Sequence, residues 1–285
     1  MNQKKTLQEL TFKDNFMFGA VLLDPENCKG VIERSIGTEI ERVEVSREKS
    51  IVYNPEYKGV RLDAYAKDEN NTHYNVEMQV LPKPALQKRA RYYHSQIDME
   101  ILLTGVSYEV LPDTYVIFIC DFDPFGEGKY RYTRKAICQE VPQLEMSDGA
   151  HTIFLSTKGT NEDEVPEELV RFLKFVGAKP SESEKNYEDA FIKRLQESIR
   201  EVKASREMGA RYMTFQELLK DERIEERCQV IIELLEELGN VSEKLQTRIR
   251  QERDLNVLKT WCKLAAKAKT VAQFEQEVFH GTKMK

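Results

Sequence analysis

Two short stretches of alternating apolar and polar residues, 60–66 and 73–80, flank the polar turn 67–72, and no other feature constrains the fold as strongly. Successive side chains of a strand point to opposite faces, so each stretch can bury one row and present the other. In the first, Val60, Leu62, Ala64 and Ala66 form one row, with Arg61, Asp63 and Tyr65 opposite. In the second, Tyr74, Val76, Met78 and Val80 oppose His73, Asn75, Glu77 and Gln79. Asp68, Asn70 and Asn71 tolerate the dihedrals of the turn between them. The pattern predicts an antiparallel hairpin with one apolar face and one polar face that carries carboxylates.

The flanking segments supply the layers such a hairpin needs. Residues 10–36 read mainly as helix with an interruption at Asp24 and Pro25; a second helix starts there, capped by Asp24, and runs to Gly37. The period changes to two at Val43 and Val45. Pro82 and Pro84 end the second hairpin strand, and 85–103 reads as a helix with Leu86, Ala90, Tyr93, Ile97 and Ile101 on one stripe. Residues 115–120 suit a central strand covered on both faces. The connection 121–129 holds Gly126-Glu127-Gly128, a short turn without the form of a phosphate-binding loop, and strand-like pieces follow at 130–138 and 152–155. Nearly everything after Pro166 reads as helix, in segments 167–176, 187–220, 224–238 and onward from Val241. The expected fold is α/β: a small mixed-sheet core over 1–180, then a helical accessory or oligomerisation region over 181–285.

A chain of 285 residues can bury a core without disulfide or metal staples. The net charge of −6 excludes a histone-like basic coat but leaves local contact with nucleic acid open, since that depends on where the cations lie. Five cysteines, an odd number without zinc-ribbon spacing, read as buried free thiols. No window approaches the roughly 18 continuous apolar residues of a membrane span, and the first residues lack a signal-peptide core. The expectation is a cytoplasmic protein with no membrane partner.

Asp63 and Glu77-Met78-Gln79 are the sharpest candidates for chemistry. Glu77 and Gln79 share a side, roughly 6.5–7 Å apart along the strand, and a suitable register brings Asp63 beside Glu77. Two carboxylates offer hard oxygens to magnesium or manganese and leave positions for phosphate and water; ordinary polar strand surface is the alternative. Lys83, Lys88, Arg89 and Arg91 follow with no Asp or Glu before Gln96, forming either a phosphate-holding face or a solvated helix flank. Glu33 and Asp14 stay outside the set, the first as a solvated helix residue and the second as a cap or ion-pair partner. His73 reads as an edge hydrogen-bonding residue. Lys259, Lys263, Lys267 and Lys269 read as a solvated flank, and Trp261 as core or interface packing.

Four segments, taken in order, carry a family likeness. Leu10-Thr11-Phe12-Lys13-Asp14-Asn15-Phe16-Met17-Phe18 resembles the opening motif of the PD-(D/E)XK nuclease family transposases, which are similar to the recombination-promoting nucleases. Arg61-Leu62-Asp63 resembles that family's first carboxylate strand, and Tyr74-Asn75-Val76-Glu77-Met78-Gln79 its E-x-Q strand. Lys88-Arg89-Ala90-Arg91-Tyr92-Tyr93 resembles the helix that follows, and the ordered likeness covers roughly 8–180. It implies a restriction-endonuclease-like core and magnesium-dependent cleavage of DNA. Asp63 and Glu77 would be the main metal ligands, with the Met78 backbone carbonyl as a third oxygen. Gln79 would stand where the wider superfamily often has Lys. A neutral Gln can orient water or phosphate but lacks that charge, so Lys88 or Arg91 is expected to supply it and to contact DNA phosphate.

The leading expectation is thus a metal-dependent DNA endonuclease associated with recombination or a mobile element. A catalytically inactive nuclease-like module that binds DNA or protein, and a structural homo-oligomer joined through the helical tail, are the alternatives. Metal-dependent cutting, binding without cutting, and loss of assembly on tail truncation separate the three.

Overall fold

Pro25 and Gly37 bracket a helix as their backbone preferences demand. The computed structural model describes residues 5–46, 50–51 and 60–280, except the side chains at 50–51, 60–61 and 279–280. In it a short helix α1 (Asn15–Val21) precedes α2 (Pro25–Ile36). The Asp24 carboxylate accepts the Asn27 N–H at 3.0 Å, and Gly37 closes the helix at φ 78°. Residues 10–14, expected as helix, form a turn instead. There the Asp14 carboxylate accepts the Thr11 N–H at 2.7 Å, a local bond that competes with helical pairing.

Next come β1 (Val43–Ser46), then β2 (Ser50–Ile51) and β3 (Val60–Arg61), which pair only with each other, and then β4 (Ala64–Asp68) and β5 (His73–Gln79). Helix α3 (Leu86–Ile101) leads to β6 (Thr114–Cys120), followed by β7 (Arg131–Arg134) and β8 (Ala150–Ser156). The main sheet is mixed, in the order β1-β4-β5-β6-β8-β7, with β5, β6 and β8 parallel and the other pairings antiparallel. β6 is the central apolar strand that its composition requires, and Val116–Cys120 are all fully buried.

The strand expected over 60–66 is broken. β3 stops at Arg61 and β4 begins at Ala64, because Asp63 spends its own N–H and carboxylate on Glu77 and Met78. Leu62, expected in the row of Ala64, is instead buried with Tyr65 in the cluster beneath α3. The rows expected for Val60 and Arg61 lie outside the described residues. The polar row of β5 does not face solvent: His73, Asn75, Glu77 and Gln79 are all buried.

Helices α4 (Glu167–Gly177) and α5 (Ala190–Ala204) pack against α2, which also meets β1 and β8. The opening motif builds this layer. Phe12 meets Phe18, Phe172 and Phe175 edge-on or tilted, and Lys13 bonds Asp121 at 2.7 Å, just past β6. Gly30 lets the ring of Phe191 lie against α2, with Arg34 stacked over the same ring at 4.1 Å. A Cβ at Gly30 would overlap that ring. Gly30→Ala is therefore expected to destabilise the protein by about 1–3 kcal/mol, the usual scale of overpacking, measured as a lowered urea midpoint.

The helices expected at 187–220 and 224–238 divide elsewhere, into α5 and α6 (Arg206–Glu236). Ser205 caps α6 through the Met208 N–H at 3.2 Å, and after Gly209 no Gly or Pro interrupts it. The chain forms two compact units, up to Met208 and from Gly209. In the second, α7 (Glu243–Gln251), α8 (Leu255–Ala265) and α9 (Val271–His280) share a core with the C-terminal part of α6. Trp261 belongs to that core, 7% exposed and stacked under Arg248. Cys28, Cys120 and Cys228 are buried free thiols, while Cys138 and Cys262 are partly accessible. Among the described residues no helix is long and apolar enough to cross a membrane.

Candidate active site

The hairpin register sets the geometry. Ala64 pairs with Val76 and Tyr65 with Asn75, so the next step brings Asp63 opposite Glu77. The Asp63 N–H donates to Glu77 Oε1 at 3.2 Å, and Asp63 Oδ2 accepts the Met78 N–H at 3.0 Å. The other Glu77 oxygen accepts the Tyr93 hydroxyl at 3.4 Å. Asp63 is half-buried and Glu77 is 2% exposed. Gly19 on α1 comes close to the Asp63 carbonyl, so the opening segment also backs the site.

A cation closes the arrangement, and it is Arg89. Its Nη1 donates to Gln79 Oε1 at 2.8 Å, its Nη2 donates to the Tyr93 hydroxyl at 2.8 Å, and Nη2 lies 3.5 Å from Glu77 Oε2. The guanidinium also lies 5.5 Å over the Tyr93 ring and 5.4 Å over the Phe118 ring. The Gln79 amide meanwhile donates to the Met78 carbonyl at 3.0 Å, the oxygen expected as a third metal ligand. A Lys at position 79 could not accept from Arg89 and would set cation against cation. The positive charge at this site comes from the helix, and Gln79 is the acceptor that holds it there.

Lys88 and Arg91, expected to supply this charge, do not reach the carboxylates. Both are exposed and line a cleft with β7 and β8. The helical period explains the difference. Arg89 follows Leu86 by three positions and precedes Tyr93 by four, which puts it on the edge of the buried stripe, whereas Lys88 and Arg91 turn away. That spacing was the available signal for Arg89. Of the residues set aside, Glu33 accepts the Ile40 N–H at 2.9 Å, and Asp14 pairs with Lys5 at 2.6 Å. His73 is hydrogen-bonded to the Tyr65 hydroxyl through Nδ1.

The sequence profile of the PD-(D/E)XK nuclease family transposases matches residues 31–229, well over half of the chain. The chain belongs to this family. Its six-stranded mixed sheet with flanking helices is a restriction-endonuclease-like α/β fold. No curated protein and no solved structure matches the chain.

Nucleases of this family generally use divalent metals, and the residues present suit one. Asp63 and Glu77 offer two carboxyl groups beside the guanidinium of Arg89, and all their donor atoms are hard oxygens. Among the described residues no group of three or more Asp, Glu, His or Cys converges, so remaining coordination would come from the Met78 carbonyl, phosphate and water. Burial, and then the charge of Asp63, push the Glu77 carboxyl up to about 8, with Arg89 only partly offsetting them. Folded protein therefore keeps this proton between about pH 4.5 and 8, where unfolded chain has released it. Stability linked to Glu77 is full below about 4.5 and is lost as pH rises through about 8. In chelator, Tm is expected to fall across this window, and Glu77→Gln is expected to flatten that slope. An unchanged slope in the variant would place the titration elsewhere.

Proposed function

We propose that this protein is a metal-dependent DNA endonuclease that hydrolyses phosphodiester bonds, acting in the cytoplasm in recombination or on behalf of a mobile element. The nuclease core would be the first unit, with the helical tail as an accessory region. The observation that carries the reading is the convergence of the Asp63 and Glu77 carboxyl groups, with Arg89 beside them, near the end of β5. Asp63, Glu77 and the Met78 carbonyl would hold magnesium or manganese, which supplies charge to polarise the phosphodiester and to acidify a water.

The protein's own groups do the positioning. Arg89, fixed by Gln79 and Tyr93, is placed to stabilise charge developing on phosphate oxygens. Helix α3 adds its N-terminus: Ala85 precedes it at φ 60° with no side-chain cap, so first-turn N–H groups are left without a side-chain acceptor and a phosphate could supply one. The test is cleavage of supercoiled plasmid and short duplex DNA with magnesium, manganese and chelator arms. Metal-dependent nicking supports the reading, and no cutting with either metal overturns it.

One observation favours the noncatalytic alternative: both carboxylates already bond backbone N–H groups of the hairpin. That reading requires DNA binding that is indifferent to metal, and the same assay separates the two.

A further inference from the structure

On the flank of α3 away from the carboxylates lies a cleft of about 510 Å³ between that helix, the edge strand β7 and its neighbour β8. Lys88, Arg91 and Arg134 line it together with the rings of Phe125, Tyr132 and Phe154, and no lining residue is acidic. Among the described residues none of these three cations has a carboxylate within ion-pair distance, although Lys13, Lys129, Lys135, Lys158 and Arg171 in the same unit all do. Phe125 is 36% exposed. It is presented by a tied loop: the Asp123 carboxylate accepts the Phe125 N–H at 3.1 Å, the Gly128 N–H at 2.7 Å and the Tyr132 hydroxyl at 2.7 Å. Water-exposed aromatic rings beside unpaired cations match the chemistry of an unpaired nucleotide, whose base stacks while its phosphate meets the charges.

An aromatic relay connects this cleft with the candidate active site. Arg89 lies over Phe118, Phe118 stacks on Phe154 at 5.5 Å, and Phe154 meets Phe125 edge-on at 5.1 Å. Arg134 and Tyr132 pair with Thr152 and Phe154 across β7 and β8, which puts both on the α3 side of the sheet. The volume is within the roughly 300–1,000 Å³ of ordinary ligand sites, enough for a nucleotide.

We infer that this cleft holds single-stranded DNA beside the cutting site, with bases on Phe125 and Tyr132 and phosphates on Lys88, Arg91 and Arg134. The inference rests on the nuclease reading and narrows its substrate to DNA with an unpaired segment, such as a flap, fork or bubble. A fully paired helix stacks its bases internally and offers none to these rings, whereas an unpaired strand can place bases on them and phosphates on the cations.

The test is fluorescence anisotropy of the full chain in chelator, with a labelled oligothymidine and a blunt duplex as probes. Oligothymidine is expected to bind more tightly than duplex, and Phe125→Ala to weaken it by about 10-fold, the scale of one lost stacking contact. Arg91→Glu with Arg134→Glu, at exposed positions without ion-pair partners, is expected to weaken it at least as much. Unchanged oligothymidine affinity in both variants, or equal losses for duplex, overturns the inference. Because metal is chelated, binding and cutting fail separately. Wild-type protein that cuts duplex without dependence on the cleft refutes the cleft alone. Cleft-dependent binding without cutting in magnesium or manganese refutes the nuclease reading alone.

Discussion

Asp63→Asn and Glu77→Gln should each lower magnesium-dependent plasmid cleavage by roughly a thousandfold, the upper range for loss of one preorganised electrostatic group. Each replacement keeps the side-chain shape and removes one of the two carboxyl groups that would coordinate a cation at the hairpin. The folded state should survive both. In Asp63→Asn the side-chain amide oxygen can still accept the Met78 N–H, and a neutral group at position 77 escapes the burial that holds the Glu77 carboxyl near 8. Loss of cutting with native circular dichroism therefore reports chemistry and not unfolding. Full activity in either variant would remove these carboxylates from the reaction.

Arg89→Ala should cost about a hundredfold in cleavage at saturating magnesium and should also lower stability, by about 3–5 kcal/mol if Glu77 is left ionised without its partner. The stability loss should be greatest at alkaline pH, because at lower pH protonation of Glu77, favoured further once Arg89 is gone, relieves the unpaired charge. Arg89→Lys should fall between the two. A single ammonium can reach Gln79 or Tyr93, but it cannot span both with the planar fork that makes two 2.8 Å bonds. Combining Arg89→Ala with Glu77→Gln should restore much of the stability and none of the activity, since the neutral partner no longer needs the guanidinium. Equal pH dependence in wild type and Arg89→Ala would show that the pair is not coupled.

The alternation at 73–80 and the turn at 67–72 made the hairpin legible, while its register, which sets Asp63 opposite Glu77, was left open by the sequence and comes from the fold. Asp24, Pro25 and Gly37 marked α2 because each has one strong backbone preference. The break at Leu62 and Asp63 was not legible, since it arises from Asp63 bonding across the hairpin, a tertiary event that overrides strand periodicity. The burial of the polar row of β5 was hidden for a similar reason: alternation shows that two faces differ, not that a helix covers the polar one. Choosing among Lys88, Arg89 and Arg91 needed the phase of α3 against the sheet. Leu86 and Tyr93 contained that phase, but the charge count drew attention to the exposed pair.

Calorimetric titration of metal-free protein with manganese bears most directly on the role of the carboxylate pair. Wild-type protein should bind manganese with release of protons near pH 7, as the Glu77 carboxyl gives up the proton that burial holds there. Asp63→Asn and Glu77→Gln should bind it far more weakly, and Glu77→Gln should release no protons. Manganese bound with wild-type affinity by either folded variant would mean that Asp63 and Glu77 do not form the metal site.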